Sequence, residues 1–180
     1  LTEFERDAMG RMLTKITKAK DANGKIVEER SRYQYDSKGR LVETYNAHHY
    51  LEFEYNRFGN LVKEHRSNLN AKRERQTSTM QDVRFSYIWP GIRSGITLPD
   101  GQEIDYQFNR NNLLTHVQFN GENVANIERD AFGREVARNQ GQLRTETHYD
   151  PMGRLQKQSS YQQEQKSPGP VQREYGYDKF

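Results

Sequence analysis

The heptapeptide Tyr35-Asp36-Ser37-Lys38-Gly39-Arg40-Leu41 predicts a tight turn between two extended segments. The Asp36 side chain can accept hydrogen bonds from backbone N–H groups that follow it, and Gly39 can adopt a positive φ without steric cost. We interpret the segment as a β-hairpin with a type I turn followed by a G1 bulge, with Gly39 in the left-handed conformation. The bulge would place Tyr35 opposite Leu41, and such an aromatic–aliphatic pair stabilises a hairpin by about 0.2–1 kcal/mol.

Variants of this turn recur along the whole chain, and their spacings centre on about 20 residues, the length of two strands with their connections. Such a repeat is typical of architectures in which each unit buries its apolar face only against its neighbours. The predicted structural turn residues are Asp7, Gly10, Asp21, Gly24, Tyr35, Asp36, Gly39, Asn56, Gly59, Gly91, Asn109, Asn112, Asp130, Gly133, Tyr149, Asp150 and Gly153.

Some of these units depart from the pattern in ways that turn chemistry explains. Asn56 and Asn109 replace the aspartate with another side chain that accepts backbone hydrogen bonds. Asn112 stands at the glycine position, and asparagine is the next most tolerant residue in the left-handed region. The unit that begins at Ile88 retains only its glycine, and Trp89 within it is predicted to be a local packing anchor.

The composition argues against a thick hydrophobic core. Hydrophobic residues make up 32% of the chain, charged residues 29%, and the mean hydropathy is −1.16. These values approach those of disordered chains, yet 11 tyrosines and 8 phenylalanines are placed too regularly for a solvated coil. We therefore expect a thin sheet that is exposed to solvent over much of its area.

The predicted fold class is all-β, with antiparallel β-hairpins that form part of a spiralling sheet or a hollow shell. Apolar and polar residues alternate in segments such as 51–55 and 83–87, and no convincing amphipathic helix interrupts them. We predict a single repeat segment over 1–180, with irregular polar loops at 66–82 and 158–170. Because the last unit, at Tyr177-Asp178, stops before its glycine, we expect the segment to derive from a longer array.

Several classes of function lack support in the sequence. The net charge of +3 is spread along the chain, so no nucleic-acid partner is expected. No apolar run approaches the length of a membrane span, and the N-terminus has no signal-peptide pattern. Adjacent strand residues such as His48 and His49 point to opposite faces and cannot easily share a metal ion. No nucleophile elbow or phosphate-binding loop occurs. We expect no enzyme activity, no metal and no cofactor.

The repeated motif resembles that of the YD-repeat, or Rhs, proteins, which are named for Tyr-Asp followed two residues later by Gly-Arg-Leu. Residues Tyr35 to Leu41 and Tyr149 to Leu155 match the motif fully, and other units match it in part. The family includes bacterial Rhs effectors, which are polymorphic toxins often delivered by type VI secretion, the C components of insecticidal toxin complexes, and teneurins.

The resemblance implies a shell of β-hairpin ribbons around a C-terminal toxic domain. The implied partners are a toxin or effector domain of the same polypeptide, held inside the shell, and components of a secretion system. The implied localisation is bacterial, secreted or delivered. Asp150-Pro151 looks superficially like the autoproteolytic segment of the toxin families, but it lacks the further glycines of that segment, so no protease role is assigned to Asp150.

Two hypotheses of function follow. In the first, the chain is a structural segment of a shell that encapsulates a toxin or effector domain for delivery to target cells. In the second, it is a cell-surface YD-repeat module that binds carbohydrate or a receptor through arginine and tyrosine side chains such as Arg32, Tyr33 and Tyr35. Glycan or heparin binding by the chain would favour the second hypothesis.

Overall fold

The structure is a computed structural model that describes residues 1–163 and 171–178. This part of the chain is all-β: it forms fifteen strands and one 3-10 turn at Thr77–Thr79. Its contacts divide into two compact units, where sequence analysis treated the chain as one segment. The first unit consists of Leu1–Gly91 and Thr97–Gly101, and the second of Ile92–Ile96 and Gln102–Phe180.

The first unit contains seven strands that pair antiparallel in sequence order. The strands are β1 (Thr2–Arg6), β2 (Met12–Lys20), β3 (Ile26–Tyr35), β4 (Leu41–Tyr45), β5 (His49–Tyr55), β6 (Leu61–Asn68) and β7 (Gln81–Trp89).

The second unit has the same organisation, with antiparallel pairing in sequence order from β9 to β15. Its strands are β9 (Glu103–Phe108), β10 (Leu114–Phe119), β11 (Glu122–Arg129), β12 (Glu135–Gln140), β13 (Leu143–Tyr149), β14 (Leu155–Gln162) and β15 (Val171–Glu174), and most of β8 (Ile92–Thr97) also belongs to it.

The predicted hairpin geometry is confirmed at the central repeat. Tyr35 pairs with Leu41, and the register shifts by one residue between Gln34 and Tyr35, as a bulge requires. The N–H of Gly39 donates to the carbonyl of Asp36 at 2.9 Å, and the N–H of Asp36 donates to the carbonyl of Arg40 at 2.9 Å. The same shift occurs beside Tyr55 and Tyr149.

The turn at Asp21 lies at the opposite end of the strands from the turns at Asp7 and Asp36. Asp7 and Asp36 lie in the connections β1–β2 and β3–β4, whereas Asp21 lies in the connection β2–β3. Successive connections of antiparallel neighbours alternate between the two ends of the strands. The repeat therefore consists of two strands, and Asp21 is an additional turn of the same local type.

Few side chains are deeply buried, as the composition predicts. Within the described residues the buried apolar side chains are Ile16, Tyr50, Ala125, Ile127 and Ala137. Most other strand residues are half-exposed on both faces. Hydrogen-bonded pairing of strands, rather than a dry interior, therefore carries much of the stability.

The irregular segments are shorter than sequence analysis predicts. β6 extends to Asn68 and β7 begins at Gln81, so the connection between them covers residues 69–80 instead of 66–82. β14 likewise extends to Gln162, which makes 158–162 strand, and residues 164–170 lie outside the described residues. Polar residues occupy these strand ends because both faces of the sheet meet solvent, so the alternation of apolar residues that usually identifies a strand is missing.

The degenerate repeat at Ile88 also differs from its prediction. Ile88 and Trp89 belong to β7, and the turn is reduced to Pro90 and Gly91, which has φ 85°. Trp89 is 64% exposed, so the prediction that it anchors local packing is wrong. A turn of two residues has no position equivalent to the aspartate of the longer turns, so the aspartate is absent here.

Candidate functional site

The most extensive arrangement of interacting side chains in the described residues lies at the hairpin turns. In the central repeat, the carboxylate oxygen Oδ1 of Asp36 accepts the N–H groups of Lys38 and Arg40, each at 2.9 Å. The other oxygen, Oδ2, accepts the Nε–H of Arg40 at 2.7 Å. The backbone bond from Arg40, followed by its side-chain bond, lowers the pKa of Asp36 below its usual value. The carboxylate therefore holds the turn as an anion.

Arg40 connects this turn to the next repeat. Its guanidinium carbon lies 4.5 Å from the centre of the Tyr55 ring, a cation–π contact. The Tyr55 hydroxyl donates to the carbonyl of Leu41 at 2.8 Å. Burial raises the pKa of Tyr55 above its usual value, so the phenol stays protonated and can donate. Each repeat is thus tied to the preceding one through an aspartate, an arginine and a tyrosine, and we call this recurring set the Asp-Arg-Tyr ladder.

The ladder recurs in both units. The Arg–Asp ion pairs measure 2.6–2.7 Å, and the Arg–Tyr distances 4.5–4.9 Å. The further members of the ladder are Asp7, Arg11 and Tyr35; Asp130, Arg134 and Tyr149; and Asp150, Arg154 and Tyr177. In each case the tyrosine hydroxyl donates to a backbone carbonyl of the preceding repeat, namely Met12, Glu135 or Leu155, at 2.8–2.9 Å.

The predicted turn residues lie at the ends of strands or in the connections between strands. The glycines Gly10, Gly24, Gly39, Gly59, Gly91, Gly133 and Gly153 have φ between 78° and 87°. Asn112 has φ 57° in the same position. Asp21, Asn56 and Asn109 each accept two backbone N–H groups, but none of them is followed by an arginine at the ladder position. These three turns therefore keep the hairpin geometry without the link through arginine.

Sequence analysis identified the turn residues but missed the partners that link the repeats. The missed side chains are Arg11, Arg40, Arg134, Arg154, Tyr55, Tyr87 and Tyr177. A signal was present: an arginine recurs four residues after the aspartate, and a tyrosine recurs just before the next turn. Both residues also fit the hairpin itself, so the sequence alone does not reveal the contact between repeats, which depends on how far each strand runs.

Arg129 replaces the ladder tyrosine in one repeat of the second unit. It stands just before Asp130, at the position that tyrosine occupies before the turns at Asp36, Asn56 and Asp150. Its Nε–H donates to the carbonyl of Leu114 at 3.1 Å, and its Nη1–H donates to the carbonyl of Gly133 at 3.0 Å. The backbone carbonyl is therefore satisfied by a guanidinium group instead of a phenol, so the link does not require an aromatic ring.

Asp150 and the carboxylates around Arg144 are engaged by arginine partners. Asp150 uses both carboxylate oxygens within its own turn, where they lie 2.9 and 2.8 Å from the backbone nitrogens of Met152 and Arg154 and 2.7 Å from the Nε atom of Arg154. Glu128 and Glu146 both bind Arg144, at 2.8 and 3.0 Å. Among residues 1–163 and 171–178, no three acidic or histidine side chains come together as a metal-binding group. No helix in that part of the chain is long and apolar enough to span a membrane.

These observations define the class of the chain as an antiparallel β-hairpin repeat protein whose turns are linked by side chains. In sequence it is similar to the double-stranded DNA deaminase toxin A of Burkholderia cenocepacia (strain H111), with 30% identity over 189 residues. The match covers 97% of this chain and 12% of the toxin, so the chain spans about an eighth of that relative. No protein-family model matches the chain.

Solved toxin structures share the fold. The crystal structure of TcdB2-TccC3 superimposes with a TM-score of 0.67 and 14% sequence identity, covering 98% of this chain and 11% of that chain. The Tc holotoxin pore of Photorhabdus luminescens gives a TM-score of 0.66 over the same share. At this identity the likeness establishes the fold alone. The all-β prediction is therefore confirmed, and the chain is related in fold to bacterial toxin complexes.

Proposed function

We propose that the chain is a non-enzymatic wall segment of a YD-repeat, or Rhs, shell that encloses a toxin or effector domain of the same polypeptide. The observation that supports this most is the Asp-Arg-Tyr ladder, since it joins hairpins edge to edge instead of burying them in a core. Such a wall can be extended by adding repeats and needs no thick interior. The likeness to toxin structures agrees with this role.

The mechanism is mechanical. Backbone pairing makes the wall continuous, and the ladder fixes each hairpin to the one before it. Side chains on both faces remain half-exposed, and many are polar. A polar wall can surround a partly folded polypeptide without adhering strongly to it, because burying unpaired polar groups is unfavourable. In this proposal the protein is bacterial and is delivered to target cells by a secretion system, with type VI secretion as one candidate route.

A protease-protection experiment on the parent polypeptide tests encapsulation. The effector domain should resist digestion in the intact parent and become digestible when the residues that correspond to 1–180 are deleted. The control is a parent that carries a deletion of the same size outside the repeat array. Equal digestion of the effector domain in the intact parent and in the deletion variant would refute the shell.

The proposed absence of enzyme activity requires its own test because one relative is a DNA deaminase toxin. The isolated chain is expected to leave double-stranded DNA unchanged when the bases are analysed by mass spectrometry. An active deaminase in the same assay is the positive control. Deaminated bases formed by the isolated chain would contradict the proposed structural role.

A further inference from the structure

The connection between β6 and β7 contains an additional turn of the repeat type with an arginine at the glycine position. The Asn70 side chain accepts the N–H groups of Lys72 and Glu74, each at 2.9 Å, and the N–H of Arg73 donates to the carbonyl of Asn70 at 2.8 Å. Arg73 has φ 64°, in the region that Gly39 occupies at φ 80°. A residue with a Cβ atom is strained there, so the turn chemistry does not explain the arginine.

Arg73 lines a groove of about 530 Å³ in the first unit. Strand β3 contributes residues 27–30 and Arg32 to this groove, β4 contributes Tyr45, and the β4–β5 connection contributes residues 46–48. The loop that carries Arg73 is fastened to this connection, because the N–H of Leu69 donates to the carbonyl of His48 at 2.7 Å. The arginine is therefore held beside the groove by the backbone.

The charged groups that line the groove are not balanced against one another. Glu28 pairs with Arg30 at 3.0 Å, and Glu29 accepts the side-chain amide of Asn46 at 2.9 Å. Among the described residues, by contrast, the side chains of Arg32 and Arg73 form no ion pair and no hydrogen bond. Two glutamates and three arginines line the groove, so its net charge is +1, and the guanidinium groups of Arg32 and Arg73 are available to a ligand.

We propose that this groove binds the carboxylate side chains of an extended acidic polypeptide, with Arg32 and Arg73 as the recognising groups. A guanidinium group matches the planar geometry of a carboxylate through paired N–H bonds. Val27, which is 50% exposed, offers an apolar contact for the neighbouring residues of such a chain. This site does not depend on the proposed shell.

The test uses a fluorescein-labelled glutamate-rich peptide, its glutamine counterpart, and the whole chain. The chain should bind the glutamate peptide, and Arg73→Gly and Arg32→Gln should each weaken binding about tenfold, as the loss of a charged hydrogen-bonded contact predicts. Lys72→Gln changes a cation in the same loop that does not line the groove, and it should bind as the wild type does. Arg73→Gly restores the residue of the other turns, so it should melt at or above the wild-type temperature.

Several outcomes would overturn the assignment. These are no binding of the glutamate peptide, equal binding of the glutamine peptide, and wild-type affinity in the Arg73→Gly and Arg32→Gln variants. Tighter binding of a heparin oligosaccharide than of the glutamate peptide would reject the polypeptide ligand in favour of a glycan. If Arg73→Gly failed to fold, Arg32→Gln would decide the question, since Arg32 is an exposed strand residue without a side-chain partner in the described part of the chain.

Discussion

Gly39 and Gly133 have nearly the same backbone conformation, with φ 80° and 82°, but different surroundings. A Cβ atom added at Gly39 would lie 3.4 Å from the flexible end of Arg11, whereas one at Gly133 would lie 2.7 Å from the Cδ1 atom of Leu113. Gly39→Ala should therefore lower the free energy of unfolding by about 1–2 kcal/mol, the cost of the left-handed conformation. Gly133→Ala should lower it further because Leu113 must also move.

Urea denaturation followed by circular dichroism measures both glycine variants. Gly176→Ala is the matched control, since no atom lies within 4 Å of the added Cβ and its φ is outside the positive range. Equal losses of stability in Gly39→Ala and Gly133→Ala would show that the contact with Leu113 does not restrict the turn.

The ladder aspartates make stability depend on acid pH. Backbone and side-chain bonds from Arg40 lower the pKa of Asp36, and bonds from Arg154 lower that of Asp150. Because the folded pKa values lie below the unfolded ones, the unfolded state binds more protons as pH falls, and the stabilisation present above about pH 4 is lost as pH falls through the folded values. Asp36→Asn with Asp150→Asn should shrink the drop in urea midpoint between neutral pH and about pH 3.

The asparagine variants keep the turn, as Asn56 shows, so they test the charge separately from the hairpin. The matched control is Asp21→Asn, in a turn that has no arginine partner. If the Asp36 and Asp150 double variant showed the wild-type dependence on pH, the ladder carboxylates would not be responsible for acid sensitivity.

At the scale of the hairpin, the tyrosine hydroxyl is the contact that joins one repeat to the next. Tyr55→Phe removes the hydroxyl that donates to the carbonyl of Leu41 and keeps the ring over which Arg40 lies. The free energy of unfolding should fall by about 0.5–1.5 kcal/mol, the net contribution of one hydrogen bond. Hydrogen exchange should also increase in β4 and β5.

Tyr33→Phe is the matched control for the hairpin link. Tyr33 lies on β3, and its hydroxyl forms no hydrogen bond within the part of the chain that the structure describes. Its substitution should leave stability within about 0.5 kcal/mol of wild type. A loss in Tyr33→Phe as large as in Tyr55→Phe would indicate that the ring environment, rather than the link between repeats, determines the effect.

For the molecule as a whole, the scarcity of buried apolar side chains has a calorimetric consequence. The heat capacity change of unfolding grows with the apolar surface that unfolding exposes, and globular proteins average about 12–15 cal/mol/K per residue. This chain should lie clearly below that range, because most of its strand residues are already half-exposed in the folded state. Differential scanning calorimetry at several pH values measures the heat capacity change, and a value within the globular range would contradict the scarcity of buried apolar surface.

The local structure of this protein could be read from its residues, because Asp36, Gly39 and Leu41 act within a few positions of one another. Turn type, register and the all-β class follow from contacts that short-range chemistry controls. The pairing of Tyr55 with Arg40, the substitution of Arg129 for a tyrosine, and the strand conformation of residues 66–68 could not be read in this way. These features depend on which strands lie side by side and how far each one runs.

The same distinction applies to the groove beside Arg73. The sequence presents residues 69–80 as a polar stretch without a period, and the arginine there looks like one of many solvated charges. Folding brings it beside Arg32 from a strand some forty residues earlier, while the nearby acidic groups are taken by other partners. Hairpin turns arise from neighbours in the chain, whereas ladders and grooves arise from neighbours in space, which the pairing of strands selects.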